Sequence, residues 1–303
     1  MIDKLEMFIA LANERHFGRA AEVCGVTQPS LSGAIRQLED QLGVQLVWRG
    51  SRFQGLTPEG QRVLEWALRI VADARTLREE MRAARQGLAG NLRIGVIPTA
   101  LSMIVDLTAG FAARHPNVHL TILSRSSHEI LTALDRLELD AGITYLENEP
   151  LGRVTRVPLF HESYGLLVAP GHPLAGAART SWAEVARLPL CLLTPDMQNR
   201  RILNHHMNGA GVEARARIES NSVITLAAHV ATGDWASVLP SRMAELLTGP
   251  RLVAVPIDDP SARHPVGLIT PEREPHTPVI AALLDAARRL PDLDGGKAPG
   301  GSR

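Results

Sequence analysis

A short segment near the N terminus carries polar side chains at a spacing suited to nucleic-acid binding. Residues 26–39 read VTQPSLSGAIRQLE, and Leu31, Ile35 and Leu38 recur at intervals of four and three, which indicates one apolar face of a helix. The other face carries hydroxyl, guanidinium and amide groups, on Ser30, Ser32, Arg36 and Gln37. Side chains of these kinds hydrogen-bond phosphate oxygens and base edges. The segment is interpreted either as a helix that lies in a groove of DNA or as an ordinary solvated surface helix.

The net charge of the chain gives no separate argument for nucleic-acid binding. The 303 residues include 32 basic and 32 acidic side chains, so a nucleic-acid site has to be a local feature. A content of 45% hydrophobic and 21% charged residues indicates a soluble globular protein with two or more domains.

The first residues, the apolar runs and the cysteines of the chain indicate its cellular compartment. The first residues, MIDKLEMFIALANERHF, lack the basic and then apolar layout of a signal peptide. No apolar run approaches the roughly 18 residues that span a bilayer. Cys24 and Cys191 lie far apart in sequence and do not suggest a disulfide framework. We therefore expect a cytoplasmic protein with no membrane partner.

Helical periodicity extends through most of the first ninety residues and would position the polar segment. Leu5 and Phe8 belong to one apolar stripe, Ala20 and Ala21 to a second short helix, and Gly43 ends the third helix, which is the polar segment itself. Residues 47–57, VWRGSRFQGLT, contain Arg49, Arg52 and two glycines, a composition typical of an exposed two-stranded turn. The first sixty residues thus predict three helices and a wing.

A long helix is predicted after the wing, with Thr57 as its N-cap and Pro58 at its first position. Apolar residues recur in it at intervals of three and four, at Leu64, Leu68, Val71, Ala74, Leu77, Met81, Ala84 and Leu88. Because no nearby element is predicted to cover this stripe, we expect two copies to pair through it in a coiled-coil-like seam. A single solvated helix is the alternative.

The pattern changes to alternating strands and helices after residue 90. Strands are predicted at 92–97, 118–123 and 139–144, with helices at 101–114 and 129–137 between them. This order implies right-handed crossovers in a mostly parallel sheet.

A second set of strands and helices is predicted between residues 164 and 255. A strand at 264–270 and a helix at 278–290 are amphipathic and suited to return to the first set. The tail, PDLDGGKAPGGSR, is rich in Gly and Pro, so we expect residues 291–303 to be disordered.

Two stretches of the N-terminal part, HFGRAAEVCGVTQPSLSGAIRQLEDQLGVQLVWRG and LTPEGQRVL, resemble the winged helix-turn-helix of LysR-type transcriptional regulators. Ala21, Gly25 and Leu31 stand where a helix-turn-helix has a small residue, a turn glycine and an apolar residue. The resemblance extends over essentially the whole chain.

The resemblance implies a multidomain α + α/β fold with three parts. Residues 1–60 would form the winged helix-turn-helix, and residues 58–88 the linker and dimerisation helix. Residues 91–290 would form an effector domain of two α/β lobes like a type 2 periplasmic binding protein. In it, lobe I comprises residues 91–162 and 265–290, and lobe II comprises residues 163–264.

The resemblance also implies DNA-binding residues. It places the third helix in the major groove and the wing at the minor groove or the backbone, with contacts from Thr27, Gln28, Pro29, Ser30, Ser32, Arg36, Gln37, Arg49 and Arg52. Gly33 departs from the pattern, because many members carry Arg or Lys there, and direct base readout at this position is in doubt.

An effector site is expected in the cleft between the lobes, where three strands give way to helices. Ligands of open α/β sheets lie beyond the carboxyl ends of the strands, near helix N-termini. The residues expected to bind an effector are Thr99, Ala100, Ser102, Ser126, Ser127, Asn199, Arg200 and Asn221. The alternative is that the hydroxyl groups only cap their helices; for Thr99 and Ser126 we favour contact with the effector.

Other functions fit the sequence less well. An enzyme is disfavoured because the chain has no Gly-rich phosphate loop, no Gly-x-Ser-x-Gly elbow and no paired cysteines, so no catalytic residue, metal or cofactor is assigned. His205 and His206 are adjacent and make a poor metal pair. A free-standing solute-binding protein would not begin with a DNA-binding module. A peroxide sensor of the same family would need a second cysteine near Cys191.

The partners that the resemblance implies are double-stranded promoter DNA, a small effector, further copies of the chain in a homodimer or homotetramer, and RNA polymerase. A carboxylate or other small anion suits helix N-termini around the cleft. The stretches LTPDMQNRRI and HVATGDWASVLP resemble parts of regulators encoded beside formate-oxidation genes. The sequence does not decide between activation and repression.

Overall fold

The computed structural model describes residues 1–48 and 53–291. It divides into two compact units. The first contains Met1–Ala89 with the short segments Asp135–Glu138 and Arg273–Pro278, and the second contains Gly90–Leu134, Leu139–Glu272 and the chain from Val279 onward.

The described residues form eleven α-helices and ten β-strands. The helices are α1 (Ile2–Glu14), α2 (Phe17–Val23), α3 (Gln28–Leu42), α4 (Pro58–Gln86), α5 (Val105–Arg114), α6 (Ser127–Asp135), α7 (Trp182–Val185), α8 (Gln198–Gly209), α9 (Val223–Val230), α10 (Ser241–Leu246) and α11 (Pro278–Arg288). The strands are β1 (Gly90–Val96), β2 (Val118–Ser124), β3 (Ala141–Tyr145), β4 (Val154–Glu162), β5 (Tyr164–Val168), β6 (Leu190–Leu193), β7 (Ala216–Ser220), β8 (Ser237–Pro240), β9 (Val253–Pro256) and β10 (His264–Pro271). No helix of the described chain is long and apolar enough to cross a membrane.

The first unit is a helical domain built around α1. Its core includes the fully buried Phe8, Leu11, Leu31, Leu38 and Leu46. Helices α2, α3 and α4 all pack against α1. The apolar faces of α1 and α3 are therefore buried as their periodicity predicts.

The ends of α3 follow from their local sequence. Gly25 lies in the turn before the helix with φ 65°, and Gly43 ends the helix with φ 70°, both in the left-handed region that glycine adopts without strain. At the start, the Ser30 backbone N–H donates to the hydroxyl oxygen of Thr27, the N-cap, over 3.3 Å.

The wing is short where it is described. Val47 and Leu56 form an isolated antiparallel bridge, and the Trp48 N–H donates to the Gly55 carbonyl oxygen over 3.1 Å. Arg49 and Arg52, which the sequence predicts to contact DNA, lie outside the described residues.

The wing and α4 are joined by hydrogen bonds of Thr57. Its hydroxyl donates to the Gln45 carbonyl oxygen over 2.5 Å and accepts from the Gly60 N–H over 2.9 Å, as expected of an N-cap. Gly60 approaches the wing so closely that a Cβ atom there would lie 2.0 Å from the Leu46 carbonyl oxygen. Only glycine fits this position without a shift of the backbone.

The apolar stripe of α4 does not form one continuous seam. Leu64, Leu68 and Val71 pack on the core of their own chain, Leu68 only in part, so pairing of Leu68 with a second copy stays a prediction. A neighbouring face, with Trp66, Ile70, Leu77 and Met81, is exposed to between 40% and 63%.

The first lobe of the second unit contains a five-stranded mixed sheet. The strand order is β2-β1-β3-β10-β4. Strand β1 is parallel to β2 and β3, whereas β10 is antiparallel to β3 and β4. The return of the chain to this lobe through β10 agrees with the predicted closing strand, and the sheet is less parallel than expected.

The second lobe contains β5 to β9. Strands β8, β5 and β9 form an antiparallel sheet, and β6 is parallel to β7. A bridge between Leu190 and Ala236 links β6 to the chain that leads into β8. The chain passes between the lobes directly after Glu162, at the end of β4, and again between β9 and β10.

The multidomain α + α/β fold class is thus confirmed: a helix-turn-helix region, a long helix and two α/β lobes. The elements missed from the sequence are the short helices α7 and α10 and the strand β4, whose nine residues include Pro158. Proline lacks the N–H that a central strand needs, but β4 is an edge strand with an irregular register opposite Gly267, where a proline is tolerated.

Candidate nucleic-acid interface and interlobe cleft

The polar residues predicted to contact DNA lie on the solvent side of α3 and its N-cap. Thr27, Gln28, Pro29 and Ser30 are exposed, and they are followed along the helix by exposed Arg36 and Gln37. Ser32 is half-buried. The N-terminal end of α3 therefore offers polar side chains and the positive end of the helix dipole to a polyanion on one accessible surface.

Gly33 lies on this same helix between the exposed residues. No atom lies within 4 Å of a Cβ built there, so a long cationic side chain would find open space. The departure from the resembled pattern is not imposed by packing.

A small cavity lies between the two lobes of the second unit. Its volume is about 10 Å³, which is the room that one water molecule needs. Its lining comes from both lobes, namely Ile97, Pro98, Thr99, Ser127, Tyr145, Leu193, Met197, Gln198 and Asn199. The sequence predicted three of these, Thr99, Ser127 and Asn199.

Polar atoms around the cavity lack hydrogen-bond partners within the described chain. They are the hydroxyl oxygen of Ser127 and the amide oxygen of Gln198, in side chains that are each 2% exposed; the equally buried Thr99 hydroxyl faces the Glu162 carboxyl group instead. A buried polar group without a partner is costly, so such atoms converging on one cavity point to a ligand or to water.

The N-terminus of α8 also faces this cavity. Met197, its N-cap residue, supplies no side-chain hydrogen bond to the first turn. Gln198 is held by its amide nitrogen, which donates to the Glu147 carbonyl oxygen over 3.1 Å. The first turn of a 12-residue helix thus places its positive end at the cavity that the Ser127 hydroxyl also lines.

Ser126 does not take the position predicted for it. Its hydroxyl and its N–H both donate to the Glu129 carboxylate, over 3.0 and 2.8 Å, and its hydroxyl accepts from the Glu129 N–H. This is a reciprocal cap of α6. The preference for effector contact over capping is therefore not supported at Ser126, whereas its neighbour Ser127 does line the cavity.

The side chain of Arg200 is hydrogen-bonded to other residues of lobe II. Its guanidinium donates to the Leu193 carbonyl oxygen and to the Glu219 carboxylate, each over 2.8 Å, and to Asn204 over 3.0 Å. A buried arginine with these partners stabilises lobe II, and Arg200 is not among the residues that line the cavity. We therefore no longer assign it to the effector.

The remaining predicted residues lie outside the lining as well. Ala100 is buried in the 3-10 turn Pro98–Ala100, Ser102 donates to the Met243 sulfur over 3.8 Å, and Asn221 is exposed.

A hydrogen-bonded chain that the sequence did not predict leads away from the cavity. The Asn199 amide donates to the Tyr145 hydroxyl oxygen over 2.9 Å, and the Tyr145 hydroxyl donates to the Glu162 carboxylate through a short hydrogen bond. Glu162 is 4% exposed. Burial raises the pKa of its carboxyl group to about 7, although hydrogen bonding from Tyr145 acts in the opposite direction.

A second network crosses between the lobes nearby. Asn148 contacts His264, the Nε2 atoms of His264 and His206 lie 2.8 Å apart, and His206 Nδ1 lies 3.1 Å from Asp259, to which Trp182 also donates. Burial lowers the pKa of both imidazoles, so neutral rings with one shared proton fit this geometry. Within residues 1–48 and 53–291 no cluster of acidic, histidine or cysteine side chains is suited to a metal ion.

Comparison with known proteins identifies the family. A family model described as the LysR substrate binding domain matches residues 85–291, and one described as the bacterial regulatory helix-turn-helix protein of the lysR family matches residues 2–61. The chain belongs to the LysR family. It is therefore a DNA-binding transcriptional regulator, as the resemblance of its N-terminal segment implied.

LysR-family relatives match nearly the whole chain. The DNA-binding transcriptional dual regulator OxyR of Escherichia coli strain K12 is 30% identical over 297 residues, which are 96% of each protein. A hydrogen peroxide-inducible genes activator of Dickeya chrysanthemi is 32% identical over 241 residues, or 79% of each.

Solved structures of LysR-family proteins share the fold. A full-length OxyR variant from Pseudomonas aeruginosa has a TM-score of 0.76, with 29% identity over 95% of each chain. Full-length CbnR in complex with its target DNA has a TM-score of 0.63 over 95% of this chain and 99% of that one; at 22% identity this likeness shows the fold alone.

Proposed function

We propose that this LysR-family regulator reads promoter DNA with α3 and adjusts its binding in response to a small anionic effector held between its lobes. The observation that carries the effector proposal is the buried, unpartnered hydroxyl group of Ser127, which lines the same cavity as the N-terminus of α8. Hydroxyl and helix N–H donors around a cavity bind an anion without a basic protein, in keeping with the net charge of zero.

On the DNA side, the proposed contacts are Thr27, Gln28, Pro29, Ser30, Ser32, Arg36 and Gln37, with Arg49 and Arg52 in the wing. Arg36 is the cation among those on α3. It stands about two helical turns after the N-terminus and would add a charge-assisted contact to those of the side chains at the start of α3. Promoter DNA with partial dyad symmetry is the partner that two copies of α3 would fit.

The size of the cavity restricts the effector. About 10 Å³ holds one water molecule and no carboxylate, so the proposed ligand is a small carboxylate that binds as the lobes separate. A ligand that prefers one separation of the lobes shifts the population of that state, which is how it would alter DNA binding.

Two adjacent serines provide a matched test of the effector site. Ser127→Ala removes an unpartnered hydroxyl from the cavity, so we expect the affinity for the effector to fall by about tenfold, the effect of about 1.4 kcal/mol, with little change in folding stability. Ser126→Ala removes the cap of α6 and is expected to cost about 1 kcal/mol of stability while leaving effector affinity unchanged. Calorimetric titration with small carboxylates and urea denaturation measure the two quantities; equal effector affinity in both variants would refute the site.

The exposed face of α4 favours assembly with a second copy. Trp66, Ile70, Leu77 and Met81 recur at intervals of four, seven and four, which keeps them on one side of the helix. An apolar stripe of this kind is covered in solution by another apolar surface. In a two-fold symmetric dimer, the α4 helix of a second copy would supply the same stripe. We propose a homodimer, or a homotetramer of two dimers, that forms in part through this face.

Leu77→Glu tests this assembly. A carboxylate in a paired apolar seam would be buried without a partner, so we expect a smaller mass by light scattering and weaker DNA binding. Gln86→Glu makes the same change of charge at an exposed position at the end of α4 and should leave both unchanged. Unaltered mass in the Leu77 variant would contradict pairing through this face.

A thiol-based response to peroxide is not part of the proposal, although relatives are named as peroxide-inducible activators. Cys191 is fully buried, and burial raises the pKa of its thiol to about 11. Burial also raises the pKa of Cys24, the other cysteine of the chain. Reactive cysteines have a depressed pKa and an exposed sulfur.

The remaining assignments follow from the regulator function. We propose a protein without catalytic activity or cofactor that acts on DNA in the cytoplasm, with RNA polymerase as a further partner. Turnover of a substrate by the purified chain would contradict this part of the proposal.

A further inference from the structure

The buried carboxyl group of Glu162 lies directly behind the interlobe cavity. Tyr145 lines the cavity and donates its hydroxyl hydrogen to Glu162, so one hydrogen bond separates the carboxyl group from the cavity wall. Glu162 is also the last residue of β4, where the chain crosses into lobe II. Its second carboxyl oxygen is also buried, and the Thr99 hydroxyl faces the carboxyl group from lobe I.

We propose that the cleft takes up a proton together with its anionic effector, and that Glu162 is the group that receives the proton. This inference rests on the function proposed above, and it specifies the chemistry of the ligand: a small carboxylate bound with one proton, so that the site gains no net charge.

The electrostatic reason is the absence of a cation in the cavity wall. Among the described residues that line it there is no lysine, arginine or histidine. A bound anion and an ionised Glu162 would therefore repel each other across a buried, weakly screened region. Protonation of Glu162 removes the repulsion, and the anion in turn raises the affinity of Glu162 for the proton.

The groups that face Glu162 from the neighbouring elements do not supply a compensating positive charge. They are Tyr145 on β3, Thr99 in the 3-10 turn, Tyr164 on β5 and His264, the residue opposite Glu162 on β10. Burial lowers the pKa of His264, and the neighbouring His206 lowers it further. Arg200, the buried cation of lobe II, is already paired with Glu219.

Burial places the pKa of Glu162 at about 7, so near neutral pH the carboxyl group is only partly protonated before an anion binds. A bound anion would complete the protonation.

Proton uptake would also redirect the hydroxyl of Tyr145. In the structure this hydroxyl donates to Glu162 and accepts from Asn199. Once protonated, Glu162 donates to the Tyr145 oxygen instead, and Tyr145 can turn its own hydrogen to the anion while still accepting from Asn199. One proton from solvent enters at the carboxyl group, and no other proton changes its residue.

Calorimetry of the full chain tests this inference. Formate, acetate and oxalate are titrated at pH 6 and pH 8, each in two buffers of different ionisation enthalpy, with formamide and acetamide as uncharged probes of the same shape. We expect carboxylate affinity to fall about tenfold per pH unit above pH 7, with uptake close to one proton per site at pH 8 and little uptake at pH 6. Glu162→Gln, which mimics the protonated group, should bind carboxylates equally at both pH values and without uptake.

The outcomes separate this inference from the function on which it rests. Carboxylate binding that is independent of pH and of the buffer overturns the proton linkage and leaves the effector function standing. No binding of any carboxylate, or binding of the amides alone, overturns the anionic-effector function and the linkage with it. The wild-type titrations decide the matter even if the Glu162 variant folds poorly.

Discussion

Replacing Gly60 with alanine is expected to destabilise the DNA-binding unit by about 3 kcal/mol or more, near the upper end of overpacking substitutions. The new Cβ would lie 2.0 Å from the carbonyl oxygen and 2.9 Å from the carbonyl carbon of Leu46. These are backbone atoms of a fully buried residue, and the same oxygen accepts from the Thr57 N–H over 3.0 Å. The clash is therefore relieved only by moving the wing away from α4.

Urea denaturation of the Gly60→Ala variant measures the loss, and Gly33→Ala is its control. Gly33 is also helical, but no atom lies within 4 Å of a Cβ built there, so alanine should leave stability unchanged or raise it by up to about 1 kcal/mol. We also expect the Gly60 variant to lose DNA affinity. Wild-type stability of that variant would show that the wing does not pack on α4 as described.

Glu162→Gln is expected to stabilise the protein at pH 8 and to leave its stability unchanged near pH 4.5. Burial raises the pKa of Glu162 to about 7 from its ordinary 4.5, so the folded state holds the proton more tightly than the unfolded state. The stability that this group contributes is fully present below pH 4.5 and is lost as the pH rises through 7. At about 1.4 kcal/mol per pKa unit, the difference amounts to about 3 kcal/mol at pH 8.

Denaturation of wild type and variant across this pH range measures the effect without any ligand. Glu184→Gln is a control in which stability at pH 8 should change in the opposite direction. Hydrogen bonds from the Ser181 N–H and hydroxyl lower the pKa of the Glu184 carboxyl group, so its ionised form stabilises the folded state. That variant should lose stability at pH 8. Parallel pH profiles for wild type and Glu162→Gln would show that Glu162 is ionised in the folded protein.

The helix boundaries could be predicted from the sequence because their causes are local. Thr57 and Pro58 start α4, and Gly43 ends α3, as expected from their intrinsic preferences. The partner of an apolar face is not a local property. Periodicity alone made Leu68 and Leu77 equivalent, yet Leu68 packs on its own chain and Leu77 is exposed.

The candidate cleft could be predicted in part for a similar reason. Strand ends and hydroxyl residues indicated its place, but whether a hydroxyl caps a helix or faces a cavity depends on its direction, which differs between Ser126 and Ser127. Glu162 was missed because β4 was missed. In a sequence, a buried acid at the end of a strand that contains a proline resembles a surface charge.

The most direct test of the central claim is footprinting of the full chain on the DNA that flanks its own gene, with and without small carboxylates. We expect protection of a partly symmetric site whose extent changes with the carboxylate, and loss of protection in Arg36→Ala under the same salt conditions. No protected site at low salt, or protection that neither the carboxylates nor the Arg36 substitution alters, would contradict an effector-responsive regulator that reads DNA through α3.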